Sequence, residues 1–371
     1  MATGWPMKTT YANGDVYSAS DVNDITGTIN LAGGAQWAAG KNRILNGDFR
    51  FNQRNFSSTT TDQTYGFDRF KLVSSSGGTM SAQTFTPGTA PVSGYEAINF
   101  CRLVTTGQSG TGVYTILEQD IEDVRTFTGQ TITLSFWAKA ASGTPKIATQ
   151  IFQNFGSGGS PSATVETYVG QSTLSTSWAR YSVSIAVPSI SGKTIGTTAN
   201  TSYLGVRFWV SAGSASNAQT GSLGIQSNTF DMWGIQVEQG STATAFQTAT
   251  GTIQGELAAC QRYYYRTSSS QSSGYTGSLG SAASSTIGTT VAKLPVTMRT
   301  APTSVDFSTL ALDDLAGNSY AVTGVTLSAN TGSGDSILLV PTVASGLTVY
   351  RPYALKNNAS TAGYLGLSAE L

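Results

Sequence analysis

The sequence predicts an all-β protein in which a two-sheet sandwich is followed by a smaller β domain. Charged residues make up only 11% of the 371-residue chain, 42 residues are glycine, and apolar side chains recur at every second position in many short segments. Low charge with abundant glycine and aromatic residues is typical of short strands joined by many turns. Hydrophobic residues make up 39% of the chain, so they can fill a core.

Net charge and residue usage argue against several classes of function. The formal net charge is zero, so there is no electrostatic basis for binding nucleic acid or an anionic membrane. No apolar run approaches the roughly 20 residues of a membrane helix, so membrane insertion is not expected. Histidine is absent, which removes the usual general base. Cys101 and Cys260 are predicted to be reduced and buried, although their number allows a disulfide.

Residues 1–40 differ in pattern from the rest of the chain. Residues 18–21 can cap a helix whose apolar stripe is Val22, Ile25 and Ile29. A helix of about ten residues with one narrow stripe is unstable alone. It therefore needs a partner, which is either the body of the protein or copies of itself around a symmetry axis.

The sandwich is predicted to span residues 41–250. It opens with KNRILNGDFRFNQR, residues 41–54, where turn chemistry at 46–48 predicts a strand, a tight bend and a second strand with Phe49 and Phe51 on one face. Further segments alternate with a period of two: Val113–Ile121, Thr131–Ala140, Lys146–Phe155, Ala179–Val187, Tyr203–Ser211 and Phe230–Val237. Strands with one aliphatic face each indicate two antiparallel sheets packed face to face.

The smaller β domain is predicted over residues 251–371. A short helix, Thr252–Cys260, marks its start, and the tyrosines at 263–265 are expected to pack at the domain junction. Its predicted strands are Thr289–Pro295, Ser304–Phe307, Ser336–Val340, Leu347–Tyr353 and Tyr364–Ala369.

The alternation predicts an aromatic and polar outer face. Because the aliphatic sides of Thr131–Ala140 and Tyr203–Ser211 must point into the sandwich, their other sides point outward. The residues expected together there are Trp137, Trp209, Tyr203, Arg207, Phe152 and Gln150. Aromatic rings beside planar polar groups suit a glycan, whose C–H faces stack on rings. Burial beneath a loop, the second domain or a neighbouring subunit is the alternative, as is simple exposure.

Three carboxylates share one predicted strand face. Glu118, Asp120 and Glu122 lie on the face opposite Val113, Leu117 and Ile121. Such a row can bind a hard cation such as Ca²⁺, meet arginines of another subunit, or remain solvated. The sequence leaves these alternatives open.

Six separated motifs follow one another along the chain: ILNGDFRFNQR, YGFDRF, LEQDIE, GQTITLSFWAKA, DMWGIQVEQGSTATAFQ and ELAACQRYYYR. Together they resemble the tail-fibre and receptor-binding proteins of tailed bacteriophages, with a jelly-roll domain similar to a carbohydrate-binding module. LPVTMRTAPTSV and the final YLGLSAEL resemble the C-terminal β domain of such fibres. GDVYSASDVNDITGTIN resembles their virion-proximal segment.

The resemblance implies a jelly-roll topology for 41–250 and a virion fibre that assembles in the host cytoplasm. It also implies a homotrimer, docking to other virion proteins through residues 1–40, and a host cell-surface glycan as receptor. Jelly-roll carbohydrate modules often hold a structural Ca²⁺ between an early turn and a late strand. Asp48 and Asp231 stand at the corresponding positions, so they are the predicted metal ligands.

No enzyme activity is expected. A glycosidase needs two carboxylates that face each other across a cleft, and no motif arranges the sparse Asp and Glu residues in this way. Two rival functions remain: a purely structural fibre or decoration protein without a receptor site, and a polysaccharide depolymerase.

Overall fold

The computed structural model describes residues 40–328 and 332–371, and it confirms the predicted all-β fold. A jelly-roll β-sandwich is followed by a smaller C-terminal β domain. The predicted N-terminal helix lies outside the described residues. No helix in the described ranges is long and apolar enough to cross a membrane. Cys101 and Cys260 are buried free thiols, as predicted.

The sandwich consists of two six-stranded antiparallel sheets. The strands of the first sheet, in chain order, are β1 (Ser58–Thr59), β4 (Gly78–Thr84), β5 (Asn99–Thr105), β7 (Thr131–Ala140), β10 (Ala179–Ala186) and β12 (Asn228–Gln239). Those of the second sheet are β2 (Thr64–Tyr65), β3 (Lys71–Ser74), β6 (Tyr114–Glu122), β8 (Lys146–Asn154), β9 (Val165–Thr173) and β11 (Tyr203–Ala212). The spatial orders are β1-β4-β5-β12-β7-β10 and β2-β3-β6-β11-β8-β9.

The core lies between the two sheets, where the aliphatic sides of the strands meet. Leu134 and Phe136 of β7, and Val206 and Phe208 of β11, are fully buried. The rings of Phe136 and Phe208 meet across the two sheets, with centroids 5.2 Å apart. The period-two pattern therefore gave the correct inward face of both strands.

The opening stretch does not form the predicted pair of strands. Residues 41–54 contain a turn but no strand, because Asn46 and Phe49 take left-handed φ angles of 57° and 54°. The backbone instead packs against β12, where the Ile235 amide donates to the Gly47 carbonyl at 2.9 Å. A Cβ at Gly47 would lie 2.1 Å from the Ile235 carbonyl oxygen, so only glycine allows this approach.

The C-terminal domain begins with the helix Ile253–Gln261 and contains a closed barrel and a three-stranded sheet. The barrel strands are β14 (Tyr275–Ala282), β15 (Gly288–Lys293), β17 (Leu310–Asp313), β18 (Ser319–Leu327), β19 (Ser336–Val343) and β20 (Pro352–Asn357). The remaining strands are β13 (Tyr264–Ser268), β16 (Ser304–Ser308) and β21 (Tyr364–Ser368), in the order β13-β21-β16.

One predicted strand of this domain begins later than expected. The pattern placed it at Leu347–Tyr353, but β20 starts only at Pro352. Tyr350 has a φ of 66°, and the Arg351 amide donates to the Thr348 carbonyl, so the chain turns there.

Arginines join the sandwich to the C-terminal domain. Arg69 is 1% exposed, forms an ion pair with Glu370, and stacks 3.4 Å from the centre of the Tyr263 ring. Arg54 stacks 3.7 Å from the centre of the Tyr264 ring. The two tyrosines therefore pack at the domain junction.

Candidate functional site

The outer face of the second sheet carries five of the six residues expected at a glycan site. The strand register places Arg207 of β11 opposite Glu118 on β6 and opposite Gln150 on β8. Two residues before Arg207, Gly205 lies opposite Phe152 on β8. Because the alternate residues of these strands fill the core, all these side chains point away from it.

One end of this face is closed by a small apolar cluster. Trp209 packs there with Ile116 and Ala148, and Leu223 from the loop that follows β11 covers them. Trp209 is 5% exposed, and its Nε1 donates to Gln150 Oε1 at 3.1 Å. Trp209 and Gln150 therefore support the face from beneath and do not present their side chains to solvent.

Next to this cluster lies an array of buried ions. Lys71 Nζ is 2.7 Å from Asp120 Oδ2 and 3.3 Å from Glu118 Oε1. On the other side of Glu118, Arg207 Nε donates to Oε2 at 2.5 Å. Both carboxyl groups are 1% exposed. Charge-assisted bonds of this kind fix the position of Arg207 on the sheet.

The two carboxyl groups of the array titrate in opposite directions. Burial, together with the charge of Glu118, raises the pKa of Asp120 to about 7. Burial opposes ionisation of Glu118 as well, but Lys71 and Arg207 outweigh it and lower the pKa of that carboxyl. Of the two carboxyl groups, Asp120 therefore takes up a proton first as the pH falls, and Glu118 keeps its negative charge.

Aromatic rings extend the array towards the edge of the sheet. The Arg207 guanidinium lies 3.9 Å from the centre of the Phe152 ring, and the Tyr203 ring is 6.0 Å from Phe152. Phe152 is 8% exposed because Arg207 covers it. On the edge strand β9, Tyr168 is 37% exposed, and Glu166 lies 4.0 Å from Arg207 Nη1.

We call the accessible part of this face the outer strip and define it as Tyr203, Arg207, Glu166 and Tyr168. The sequence pattern identified the first two. It missed Glu166 and Tyr168, although VETYV alternates in the same way as the other strands. It also missed Lys71, because the four-residue strand β3 is too short to show a period.

Trp137 does not join these residues, which corrects the expectation of one shared face. It lies on β7 in the first sheet, opposite Arg180 and Trp233, and therefore on the far side of the sandwich from Trp209. The error arose because alternation tells which side of a strand points outward but not which sheet contains the strand.

Asp48 and Asp231 do not fit a shared calcium site. Asp231 accepts two hydrogen bonds from Arg102, at 2.7 and 2.9 Å, and lies 3.6 Å from Lys139 Nζ. Asp48 accepts from the Tyr95 hydroxyl at 2.8 Å. A cation at Asp231 would have to displace two cationic side chains. Within residues 40–328 and 332–371, no cluster of three or more Asp, Glu, Cys or His residues is arranged to hold a metal.

The row of three carboxylates meets cations of the same chain. Glu118 and Asp120 belong to the array with Lys71, and Glu122 binds Arg262 at 2.9 and 3.0 Å across the domain junction. Intrachain ion pairs therefore account for all three carboxylates of the LEQDIE motif.

Comparison with known proteins gives similarities of fold at low identity. No protein-family model and no curated protein sequence matches this chain. A family 11 carbohydrate-binding module from Clostridium thermocellum, in complex with a β-1,3-1,4-mixed-linked tetrasaccharide, is 12% identical with a TM-score of 0.30, over 51% of this chain and 99% of that one. A xylan-binding domain from Paenibacillus barcinonensis is 9% identical with a TM-score of 0.30, over 55% and 98%.

A phage protein is also similar. Tailspike protein 4 of bacteriophage CBA120, in its enzymatically active domain, is 13% identical with a TM-score of 0.29 over 54% of this chain. The match spans only 21% of the length of that tailspike chain.

Proposed function

We propose that this protein binds a glycan through the outer strip. The observation that supports the proposal most is the fixed position of Arg207, which is bonded to Glu118 and stacked on Phe152. A guanidinium held in this way loses little side-chain entropy when a sugar hydroxyl accepts from it. Tyr203 lies four residues from Arg207 on β11, and Tyr168 lies opposite Gln150 on the edge strand β9. Their rings supply apolar surface for the C–H faces of a sugar.

We further propose that the protein is a bacteriophage fibre that adheres to a host cell-surface glycan. The six ordered sequence motifs support this assignment. The fibre would be a homotrimer located in the virion, assembled in the host cytoplasm, and docked to other virion proteins through residues 1–40. Several copies on one particle would compensate for weak binding at each single site.

Glycan-array and host-cell binding of the full-length protein test the proposal. We expect Tyr203→Ala and Arg207→Lys each to weaken binding about tenfold or more, because each removes a positioned contact. Tyr350→Ala and Arg125→Ala are matched controls, since these side chains are 88% and 61% exposed and belong to other regions. Intact, folded protein that binds no glycan and no host cell would favour the purely structural rival.

We propose that binding proceeds without catalysis. The carboxyl groups of Glu118 and Asp120 lie beneath the outer strip, where they pair with Lys71 and Arg207. Each residue is only 1% exposed, so a glycan on the surface does not reach these carboxyl groups. Incubation with host capsule, followed by a reducing-end assay, distinguishes an adhesin from a depolymerase. Release of oligosaccharide would contradict this proposal.

Light scattering tests the proposed trimer. We expect the full-length protein to have three times the mass of one chain. If residues 1–40 drive association, a variant that lacks them will dissociate. A monomer in both forms would contradict the trimer.

A further inference from the structure

A concave site lies on the opposite side of the sandwich from the outer strip. It is a cleft of about 500 Å³ between the loop that precedes β5, the segment that follows β12, and the first turn of the helix Ile253–Gln261. We call it the Asp48 cleft, and its principal lining residues are Asp48, Arg50, Tyr95, Glu96, Phe246 and Glu256. Its volume lies within the range of small-molecule sites.

Two rings form a fixed aromatic wall in this cleft. The ring centres of Tyr95 and Phe246 are 5.7 Å apart. Both rings pack on the fully buried Trp233, at 5.4 and 5.0 Å. Tyr95 and Phe246 remain only partly buried, so each has ring surface left for a ligand.

The polar groups of the cleft are mostly acidic. Asp48 is 3% exposed and accepts from the Tyr95 hydroxyl, and burial raises the pKa of this carboxyl. Glu256 is also buried, but Asn46 and Thr250 bond both of its oxygens, so it forms the floor. Glu96 is exposed at the rim.

Arg50 is the single cation among these lining residues. Within the described residues its guanidinium forms no salt bridge within 4.0 Å. Its charge lowers the pKa of Asp48 and so opposes the effect of burial. Three carboxylates against one guanidinium leave the cleft with an excess of negative charge.

The geometry points to an ammonium-bearing sugar as the ligand of the Asp48 cleft. An ammonium group is attracted both to carboxylates and to aromatic faces, and the attraction grows where water is excluded. The apolar face of the sugar would lie on Tyr95 and Phe246, and its ammonium group would lie between Asp48 and Glu96. Arg50 would donate to the ring hydroxyls. The inference rests on the proposed function in taking a glycan as the ligand, but it names a separate site.

A charge series of sugars tests the inference by calorimetry on the full chain near neutral pH. The probes are D-glucosamine, D-glucose and D-glucuronate, which are similar in size and carry positive, zero and negative charge. We expect glucosamine to bind with a Kd of about 1 mM, about tenfold more tightly than glucose, and glucuronate to bind most weakly. Equal or tighter binding of glucuronate would overturn the inference, and so would no saturable binding of glucosamine.

Variants locate the binding. Asp48→Asn and Glu96→Gln should each weaken glucosamine binding about fivefold or more. Arg50→Gln should not weaken it, because the glutamine amide still donates to the ring hydroxyls while a positive charge that repels the ammonium group is removed. Glu96 is exposed, so its variant tests the site even if Asp48→Asn fails to fold. Asp123→Asn is the matched control, because that carboxylate is 47% exposed and remote. Unchanged affinity in both acidic variants would overturn the assignment to this cleft.

A variant of the outer strip distinguishes binding at that surface from binding in the Asp48 cleft. Tyr203→Ala should bind glucosamine as tightly as the unmodified protein does, although it loses cell or glycan binding. If the Asp48 cleft does not bind glucosamine but the outer-strip variants still lose glycan binding, only this inference is wrong. If the outer-strip variants bind glycan as the unmodified protein does and glucosamine still binds in the Asp48 cleft, only the proposed function is wrong.

Discussion

The outer faces of the two sheets begin from nearly the same sequence pattern and become different structures. In β7 and in β11, aliphatic residues alternate with polar ones, and a tryptophan, Trp137 or Trp209, points outward. The outer face of the first sheet is covered by a second apolar layer, in which Trp233 contacts Phe85, Tyr95 and Phe246. The outer face of the second sheet holds the buried ion array instead.

The connections between the strands cause this difference. The segments that follow β4 and β12 fold back over the first sheet and bring Phe85, Tyr95 and Phe246 with them. Over the second sheet, the connection after β11 covers only the end near Trp209. Alternation therefore decides which way a side chain points, and the loops decide whether water reaches it.

The largest expected effect comes from breaking the aromatic layer. Trp233→Ala should lower the free energy of unfolding by about 4 kcal/mol, because it empties a fully buried site between three other rings. Denaturant unfolding measures this loss. Tyr350→Ala, which removes an exposed ring, should change the free energy by less than about 0.5 kcal/mol. A small loss at Trp233 would mean that the layer is only a loose cover.

Breaking the ion array should have a somewhat smaller effect. Lys71→Ala should cost about 3 kcal/mol, because it leaves the buried carboxyls of Glu118 and Asp120 with one cation instead of two. Arg125→Ala removes a cation from an exposed pair and should cost at most about 0.5 kcal/mol. If the two variants lose equal stability, the array is more hydrated than its burial indicates.

The array should also make stability depend on pH. The pKa of Asp120 is about 7 in the folded protein and near 3.8 when unperturbed, so the folded state binds the extra proton between these values. Stability contributed by this group is present at acidic pH and is lost as pH rises towards 7. We expect a loss of roughly 2 kcal/mol between about pH 5 and pH 7, measured by denaturant unfolding.

Asp120→Asn provides the control for this pH dependence. It keeps an acceptor for Lys71 but cannot titrate, so the slope should become shallower. A slope should remain, because burial raises the pKa of Asp68 to about 6 and acts in the same direction. An unchanged slope in Asp120→Asn would mean that Asp120 is not the group that binds the proton.

The sequence predicts the fold well because strand alternation is local. The bounds of β7 were predicted as observed, and the inward residues of β11 are all buried. The prediction of two strands in residues 41–54 was wrong, because the left-handed turn there depends on the approach of Gly47 to Ile235, almost 190 residues away along the chain. No period in the sequence encodes a contact of this kind.

The candidate sites were less predictable than the fold. Arg207 and Tyr203 were identified because they alternate with core residues, but the ion partners of Arg207 lie on other strands. The Asp48 cleft was missed as a cavity, since its aromatic wall joins Tyr95 and Phe246 from two distant loops. Only Asp48 was singled out, as a metal ligand.

The smallest expected effect lies at the ion pair of the first outer face. Arg102 makes two bonds to Asp231, better geometry than any single contact of Lys71, yet its side chain is 34% exposed. Lys139 lies 3.6 Å from Asp231 and can still pair with that carboxylate in the variant. Arg102→Ala should therefore cost only about 1 kcal/mol in denaturant unfolding. A loss as large as that of Lys71→Ala would show that bond geometry, and not burial, sets the strength of ion pairs on both faces.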